Sequence, residues 1–298
     1  MLVRGAVSAA RALNISPMVI GLTLVGFGTS TPELVTSLQA ALSGSSGIAI
    51  GNVVGSNIGN VLLILGLAAL LAPIAVDPRA FRRDGTVMIA ATLAGLAVVL
   101  AGEAGRLAGA LFLAGLAAYL GFTLWSERGS APSPAGAVYE AEAEAVPGPD
   151  QPMALSLVIA VAGLALTLLG ARFLVSGAVE IASAAGISEA VIGLTIVAIG
   201  TSMPELVTAV IAVRKGQGDV ALGNVLGSNI FNLLGILGIT ALVQPMAVPP
   251  EIIRLDIWVM TGAALLLMVF ARTGWRIGRR EGGLMLALYL AYLVWLLA

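Results

Sequence analysis

Long apolar stretches alternate with short polar connections along most of the chain. A helix that crosses a bilayer needs about 20 consecutive, predominantly apolar residues. Nine stretches approach or exceed this length, and we predict them as membrane-spanning helices: residues 18–42, 48–71, 85–101, 106–125, 153–172, 189–213, 220–243, 252–271 and 282–298. The pattern therefore predicts an all-α polytopic membrane protein.

The apolar pattern contains an internal repeat. Residues 15–70 align with residues 187–242 without a gap, and 33 of the 56 aligned positions are identical. Five predicted crossings separate Glu33 from its equivalent, Glu205, so the two copies run through the bilayer in opposite directions. Inverted repeats of this kind are typical of secondary transporters, whose binding sites lie near the midplane where the copies meet.

A polar stretch divides the two copies. Residues 126–152 are rich in Pro, Gly and Glu, which is typical of a flexible linker. We predict a first transmembrane repeat at residues 1–125 and a second, inverted one at residues 153–298. The apolar stretch from Met153 to Arg172 has no complete counterpart before the first copy. We therefore expect nine full spans plus an incomplete first helix, and favour a start upstream of Met1 over a protein that lacks half a helix.

Positive charge is divided unequally between the two predicted faces. Arg106 and Arg254 lie on one face, and Arg4 and Arg172 fall within helical segments. The opposite face carries eleven cationic residues: Arg11, Arg79, Arg82, Arg83, Arg128, Arg214, Lys215, Arg272, Arg276, Arg279 and Arg280. Because cytoplasmic loops carry the excess of Lys and Arg, we expect the 126–152 linker in the cytoplasm. The C-terminus is then outside a multi-pass protein of the plasma (inner) membrane.

Composition narrows the chemistry. The chain is 59% hydrophobic and 10% charged, against about 25% charged in soluble domains, which excludes a soluble enzyme. A formal net charge of −1 means that the chain lacks the excess of positive charge typical of nucleic-acid-binding proteins. The chain has no His and no Cys, so a bound cation must be held by oxygen atoms, as suits Na⁺, K⁺, Ca²⁺, Mg²⁺ or Mn²⁺. We predict no catalytic residue and no cofactor, and the sequence leaves the oligomeric state open.

Two carboxylates are the main candidates for chemistry. Glu33 and Glu205 lie inside apolar spans at equivalent positions of the repeat. A charge at the centre of a span costs about 2.5–3.5 kcal/mol on insertion scales and usually marks a functional site. The alternative is a pair of protonated carboxyl groups that hydrogen-bond neighbouring helices. We predict cation ligands because both copies carry the residue.

The residues before each glutamate favour an oxygen-rich site. Pro32 and Pro204 lack an amide hydrogen and disturb the helix, which frees backbone carbonyls at Gly28 and Gly200. Non-helical backbone at membrane depth is tolerated where it lines a polar cavity. Hydroxyl oxygens lie beside each break, on Thr29, Ser30, Thr201 and Ser202. A plain proline kink with back-bonded hydroxyl groups is the alternative.

A second motif, GNVVGSNIGN in one copy and GNVLGSNIFN in the other, adds amide and hydroxyl oxygens. Residues spaced by four share a helix face, and we predict four such residues as ligands: Ser56, Asn60, Ser228 and Asn232. Helix packing through interhelical amide bonds stays open beside coordination for Asn52, Asn57, Asn224 and Asn229. Glu180 is a weaker candidate, and we expect Asp256 to pair with Arg254.

GTSxPE followed by GNVxGSN, present twice with inverted orientation, resembles the α-repeats of the sodium/calcium exchangers in the Ca²⁺/cation antiporter superfamily. The resemblance covers nearly the whole chain and implies the ten-helix exchanger fold. It implies that Glu33 and Glu205 coordinate Ca²⁺ together with backbone oxygens of Thr29 and Thr201. It further implies Na⁺ sites formed by two equivalent groups of residues. The first group is Gly26, Thr29, Ser30 and Ser56, and the second is Ala198, Thr201, Ser202 and Ser228. Asn60 and Asn232 would complete the middle of the ion-binding site.

The chain departs from the family pattern at one site position. Some relatives, including the potassium-dependent branch, carry Asp where this chain has Asn232, and Asn argues against a K⁺ requirement. We expect an antiporter that exchanges Ca²⁺ for Na⁺ by alternating access. Ca²⁺/H⁺ exchange is the runner-up, a cation channel is a third hypothesis, and an intramembrane enzyme is the weakest. Stoichiometry, direction and the choice of Ca²⁺ over Mn²⁺ or Mg²⁺ are not determined.

Overall fold

A computed structural model of the protein describes residues 26–127 and 153–297. The predicted incomplete first helix, the start of the first predicted span and nearly all of the predicted linker lie outside these residues. The described part is helical throughout, apart from four two-residue strands in the connections. This agrees with the all-α class that the apolar stretches predict.

The described part of the first repeat contains five helical segments and two short strands. In chain order they are α1 (Gly26–Thr29), α2 (Thr31–Leu42), α3 (Ser46–Leu71), β1 (Ile74–Ala75), α4 (Pro78–Leu100), β2 (Glu103–Ala104) and α5 (Arg106–Glu127). Helix α4 begins seven residues before the predicted span at 85–101. Asp77 caps it, because its Oδ1 accepts hydrogen bonds from the amides of Arg79 and Ala80 at 3.0 and 2.7 Å.

The described part of the second repeat begins with a long helix and then has the same order of elements. Its elements are α6 (Met153–Ala185), α7 (Glu189–Thr201), α8 (Met203–Arg214), α9 (Gly218–Val243), β3 (Met246–Ala247), α10 (Ile252–Arg272), β4 (Arg276–Ile277) and α11 (Arg279–Leu297). Seven described helices are long and apolar enough to cross a membrane, and the bent pair α7–α8 forms an eighth.

Helix α6 is longer than predicted. We expected the span to end at Arg172, but the helix runs for 33 residues in all, from Met153 to Ala185. The predicted end was wrong because a single arginine lowers the local hydropathy without interrupting a helix. Arg is among the good helix formers, and the Arg172 side chain is exposed.

Helices α3 and α9 occupy the centre of the structure. Every residue of α3 from Gly47 to Leu62 is buried. Both helices contain a π-helical turn at equivalent positions, Asn60–Leu65 in α3 and Asn232–Leu237 in α9. Such turns insert extra backbone into a helix and often occur at functional sites. Each begins at a predicted ligand.

The connecting strands show how the repeats are arranged. Strand β1 pairs with β4, and β2 pairs with β3. By repeat position β1 corresponds to β3, and β2 to β4, so each two-stranded sheet joins one strand from each repeat. The β1–β4 sheet lies in loops that we assigned to the cationic face, and β2–β3 lies in loops assigned to the other. These pairings agree with the inverted topology.

Close helix crossings repeat the same symmetry. An ideal Cβ on Gly282 of α11 would lie 2.7 Å from the carbonyl oxygen of Gly66 in α3. At the equivalent crossing, a Cβ on Gly109 of α5 would lie 2.7 Å from the carbonyl oxygen of Gly238 in α9. Small residues at membrane helix interfaces allow this approach.

The second copy contains one extra residue near its end. From β2 and β4 onward, equivalent residues of the two copies are 173 positions apart rather than 172, and the extra residue is Trp275, whose φ is 51°.

Candidate ion-binding site

The two candidate carboxylates lie just after helix breaks, one between α1 and α2 and the other between α7 and α8. Glu33 is the third residue of α2 and Glu205 the third of α8, and they are 2% and 1% exposed. Each new helix begins one residue after a serine with non-helical backbone, Ser30 (φ −86°, ψ 9°) and Ser202 (φ −84°, ψ 10°). The pair α7–α8 is bent by 47° at this point. The prolines therefore break the helices where predicted.

The serines at the breaks join the two repeats. Ser30 Oγ donates to Glu205 Oε1 at 3.0 Å, and Ser202 Oγ donates to Glu33 Oε1, also at 3.0 Å. These are equivalent bonds made in opposite directions across the interface between the copies. Each carboxylate is thus held by a hydroxyl group of the other repeat, and the two carboxylates belong to one site.

A second pair of hydroxyl groups extends this site into the central helices. Ser202 Oγ lies 3.1 Å from Ser56 Oγ of α3, and Ser30 Oγ lies 3.5 Å from Ser228 Oγ of α9. Ser56 and Ser228 are 1% and 3% exposed. The four serines predicted as ligands therefore form two chains, each ending at a glutamate.

Asn60 and Asn232 lie at the start of the π-helical turns and are each 1% exposed. Asn60 Nδ2 donates to Asn229 Oδ1 at 3.0 Å. Four buried oxygen atoms at equivalent positions receive no hydrogen bond from the described residues: Glu33 Oε2, Glu205 Oε2, Asn60 Oδ1 and Asn232 Oδ1. Buried acceptors without a donor are costly and rare in native proteins, and a bound cation would satisfy them.

The remaining predicted ligands lie on the helices that lead into the breaks. Thr201 is 3% exposed, and its hydroxyl group is within hydrogen-bonding distance of Asn52 Oδ1 and of the Val197 carbonyl oxygen, both at 3.0 Å. Ala198 is buried three residues earlier on α7, while Gly26 and Thr29 begin and end α1. Coordination of ions by these residues, and by the serines and asparagines, stays a prediction.

The asparagines whose role the sequence leaves undecided differ in their hydrogen-bond partners. Asn57 Nδ2 donates to the Val53 carbonyl oxygen of its own helix at 2.7 Å. Asn229 accepts the bond from Asn60. Asn52 Nδ2 donates to the carbonyl oxygen of Glu33 at 3.3 Å and to Ser37 Oγ at 2.8 Å. Sequence reasoning missed Ser37, although it lies four residues after Glu33 and therefore on the same face of α2.

The expected pairing of Asp256 was wrong. Its Oδ1 accepts a hydrogen bond from the hydroxyl group of Tyr292 at 2.8 Å, and the ion pairs between described residues do not include Arg254. The side chain faces the bundle and not the loop, since Asp256 is 1% exposed. The equivalent Asp84 accepts from Tyr119 Oη at 3.1 Å and also pairs with Arg83 at 2.7 Å.

Within the described residues, no three side chains among Asp, Glu, His and Cys cluster as a metal-binding group. The site therefore combines two carboxylates with neutral hydroxyl and amide oxygens. Hard cations such as Na⁺ and Ca²⁺ prefer such oxygen ligands. Glu180, the weaker candidate, lies on α6 and contributes none of the contacts described for the site.

Comparison with known proteins places this chain in a family. The sodium/calcium exchanger protein family matches residues 1–125 and 155–298. The chain is 43% identical to the "Putative antiporter CaxA" of Alkalimonas amylolytica over 97% of this chain and 91% of that one. It is 36% identical to the "Sodium/calcium exchanger MaX1" of Methanosarcina acetivorans over 98% and 92% of the two chains.

A solved structure shows the same fold. The sodium-calcium exchanger NCX_Mj, soaked with Na⁺ and Sr²⁺, superimposes with a TM-score of 0.68 and is 34% identical, covering 98% of this chain and 91% of that one. The match includes both repeats and the helices that carry the site. The chain belongs to the sodium/calcium exchanger family of integral membrane antiporters.

Proposed function

We propose that this cation antiporter exchanges Na⁺ for Ca²⁺, and that the ions compete for the site between Glu33 and Glu205. The observation that carries the proposal is the set of four buried acceptor oxygens without donors, two from carboxylates and two from amides. The other oxygen of each carboxylate, Oε1, accepts a hydrogen bond from a serine hydroxyl group that links the repeats. Carboxylate, amide and hydroxyl oxygens are ligands that both Ca²⁺ and Na⁺ accept.

The charge of the site supports exchange between these ions. Asn60 and Asn232 are neutral, so Glu33 and Glu205 supply two formal negative charges. One Ca²⁺ neutralises both, and several Na⁺ ions can replace it by using the neutral oxygens as well. Because both kinds of ion need the same two carboxylates, binding of one displaces the other, and this competition couples their movements.

The architecture supports alternating access. The site lies where the two inverted copies meet, and its central helices α3 and α9 are the most deeply buried part of the described chain. Helix α6 is long and mostly exposed along its sides. In our proposal, outer helices such as α6 slide or rock about the central helices and open the site to each side in turn. An empty site would leave two uncompensated carboxylates in a low dielectric, which disfavours the closed form and prevents uncoupled leak.

The distribution of positive charge and one relative support a proposed membrane location. The cationic face predicts that the 126–152 linker is cytoplasmic. The chain is also 36% identical to the "Inner membrane protein YrbG" of Escherichia coli. We propose a multi-pass plasma (inner) membrane protein whose C-terminus is outside.

The test is ⁴⁵Ca²⁺ uptake by proteoliposomes under an imposed Na⁺ gradient, with the proton gradient abolished. We expect wild-type uptake to follow the Na⁺ gradient and Glu33→Gln or Glu205→Gln to abolish it. Glu103→Gln is the matched control, because Glu103 is exposed in the β2 connection, and it should retain uptake. Uptake that persists in both site variants would overturn the site assignment.

The same vesicles separate the competing functions. Uptake driven by a proton gradient without Na⁺ would identify Ca²⁺/H⁺ exchange and refute the Na⁺ assignment. Ca²⁺ flux without any counter-ion, accompanied by single-channel currents in planar bilayers, would identify a channel and refute the antiport mechanism.

A further inference from the structure

The side-chain amide of Asn52 connects three elements around the site. Asn52 is fully buried on α3. Its two N–H groups reach the Glu33 carbonyl oxygen at 3.3 Å and Ser37 Oγ at 2.8 Å, both on α2. Its oxygen lies 3.0 Å from the Thr201 hydroxyl group, at the break in the second repeat. One side chain therefore ties the Glu33 backbone to the opposite half of the site.

The amide nitrogen of the equivalent residue in the other repeat lacks such acceptors among the described residues. Asn224 is 6% exposed, and its Nδ2 has no acceptor among the described residues. The position equivalent to Ser37 is occupied by Ala209, which is fully buried. A methyl group cannot accept a hydrogen bond, so this sequence difference removes the acceptor that corresponds to Ser37 Oγ.

We propose that Asn52, oriented by Ser37, is a positioning residue that preorganises the Glu33 half of the site, whereas the Glu205 half takes up its geometry as the ion binds. The inference rests on the proposed function, since it concerns the same site. Groups already held in the bound geometry lose less conformational freedom on binding. Ser37 acts through Asn52, and it bonds neither glutamate side chain among the described contacts.

Exchanging the two residues tests the inference. The variants are Ser37→Ala, which removes the acceptor, and Ala209→Ser, which supplies the missing one. Thr92→Val is the matched control, because the buried Thr92 hydroxyl group donates to the Met88 carbonyl oxygen of its own helix at 2.8 Å and, among the described residues, makes no other side-chain bond. The affinity of the purified full-length protein for Ca²⁺, and separately for Na⁺, is measured by isothermal titration in detergent.

Loss of one buried neutral hydrogen bond predicts cation binding about five- to tenfold weaker in Ser37→Ala. Ala209→Ser should bind about threefold tighter or better, and Thr92→Val should stay within about twofold of wild type because it leaves the site untouched. The gain in Ala209→Ser is diagnostic, because a purely structural defect lowers the melting temperature without tightening ion binding.

Wild-type affinity in both Ser37→Ala and Ala209→Ser would overturn the inference. If Ser37→Ala fails to fold, unchanged affinity in Ala209→Ser is sufficient to overturn it. The outcome is separable from that of the proposed function. Altered cation binding in a protein that does not exchange Na⁺ for Ca²⁺ supports the positioning role and refutes the exchange. Na⁺/Ca²⁺ exchange together with unaltered ion affinities in the variants supports the proposed function and refutes the positioning role.

Discussion

Gly55 lies one residue before Ser56, where α3 packs closely against α7. A Cβ at this position would lie 2.6 Å from the carbonyl oxygen and 2.8 Å from the Cα of Leu194, and 2.9 Å from the Cβ of Ala198. Two of these three atoms belong to the backbone, so no side-chain rotation relieves the contact. We predict that Gly55→Ala forces the two helices apart and damages the ion site.

The size of the displacement follows from these distances. Ordinary van der Waals contact begins at 3.4 Å, so the helices must separate by about 0.8 Å. The Ser202–Ser56 contact of 3.1 Å would then exceed the range of a hydrogen bond. Overpacking of this kind costs about 1–3 kcal/mol. We expect initial Ca²⁺ uptake to fall by at least about tenfold, since misplacing site groups by about 1 Å costs up to about a hundredfold in enzymes.

Gly59→Ala is the matched control on the same helix. One turn further along α3, a Cβ on Gly59 would meet, among the described residues, only the Tyr289 hydroxyl oxygen, at 4.0 Å. This variant should transport at close to the wild-type rate. The assay is Na⁺-gradient-driven uptake per reconstituted protein, with thermal unfolding measured in parallel. If Gly55→Ala and Gly59→Ala transport equally well, the helix separation derived from the structure is wrong.

Two further predictions concern symmetry and packing. Ser30→Ala and Ser202→Ala each remove one 3.0 Å bond to a glutamate, so both should weaken Ca²⁺ binding by a similar factor of about five to ten in isothermal titration; a loss confined to one variant would contradict the two-repeat site. Gly282→Ala places a Cβ 2.7 Å from a carbonyl oxygen of α3 and should lower stability by about 1–3 kcal/mol. Gly283→Ala, whose Cβ has its nearest neighbour at 3.9 Å, should not lower stability. Equal melting temperatures of Gly282→Ala and Gly283→Ala would refute the tight crossing.

Much of the fold follows from local sequence. Apolar length predicts the spans, because the bilayer sets the number of residues that a helix needs. The repeat predicts the inverted arrangement, and Pro32 and Pro204 predict the helix breaks, because proline disrupts helix hydrogen bonding wherever it occurs. Each of these inferences depends on one segment or on a comparison of two segments.

Boundaries and minor partners were less predictable. The end of α6 was misplaced because Arg172 reduces hydropathy but not helix propensity. The predicted partner of Asp256 was wrong because the prediction relied on Arg254 being near in sequence. The actual partner, Tyr292, reaches the carboxylate from a different helix. Contacts between distant segments depend on how the helices pack.

The sequence by itself determined which oxygen-bearing residues could form an ion site, because Glu, Ser, Thr and Asn recur at equivalent positions in two inverted copies. Only the tertiary structure decided how they are shared. Ser30 bonds Glu205 and Ser202 bonds Glu33, a crossed arrangement that neither copy contains alone. It also separated Asn52 from Asn224, whose surrounding motifs are nearly identical. Hydrogen bonding in a buried site is determined by the atoms opposite each group, and packing of the helices supplies those atoms.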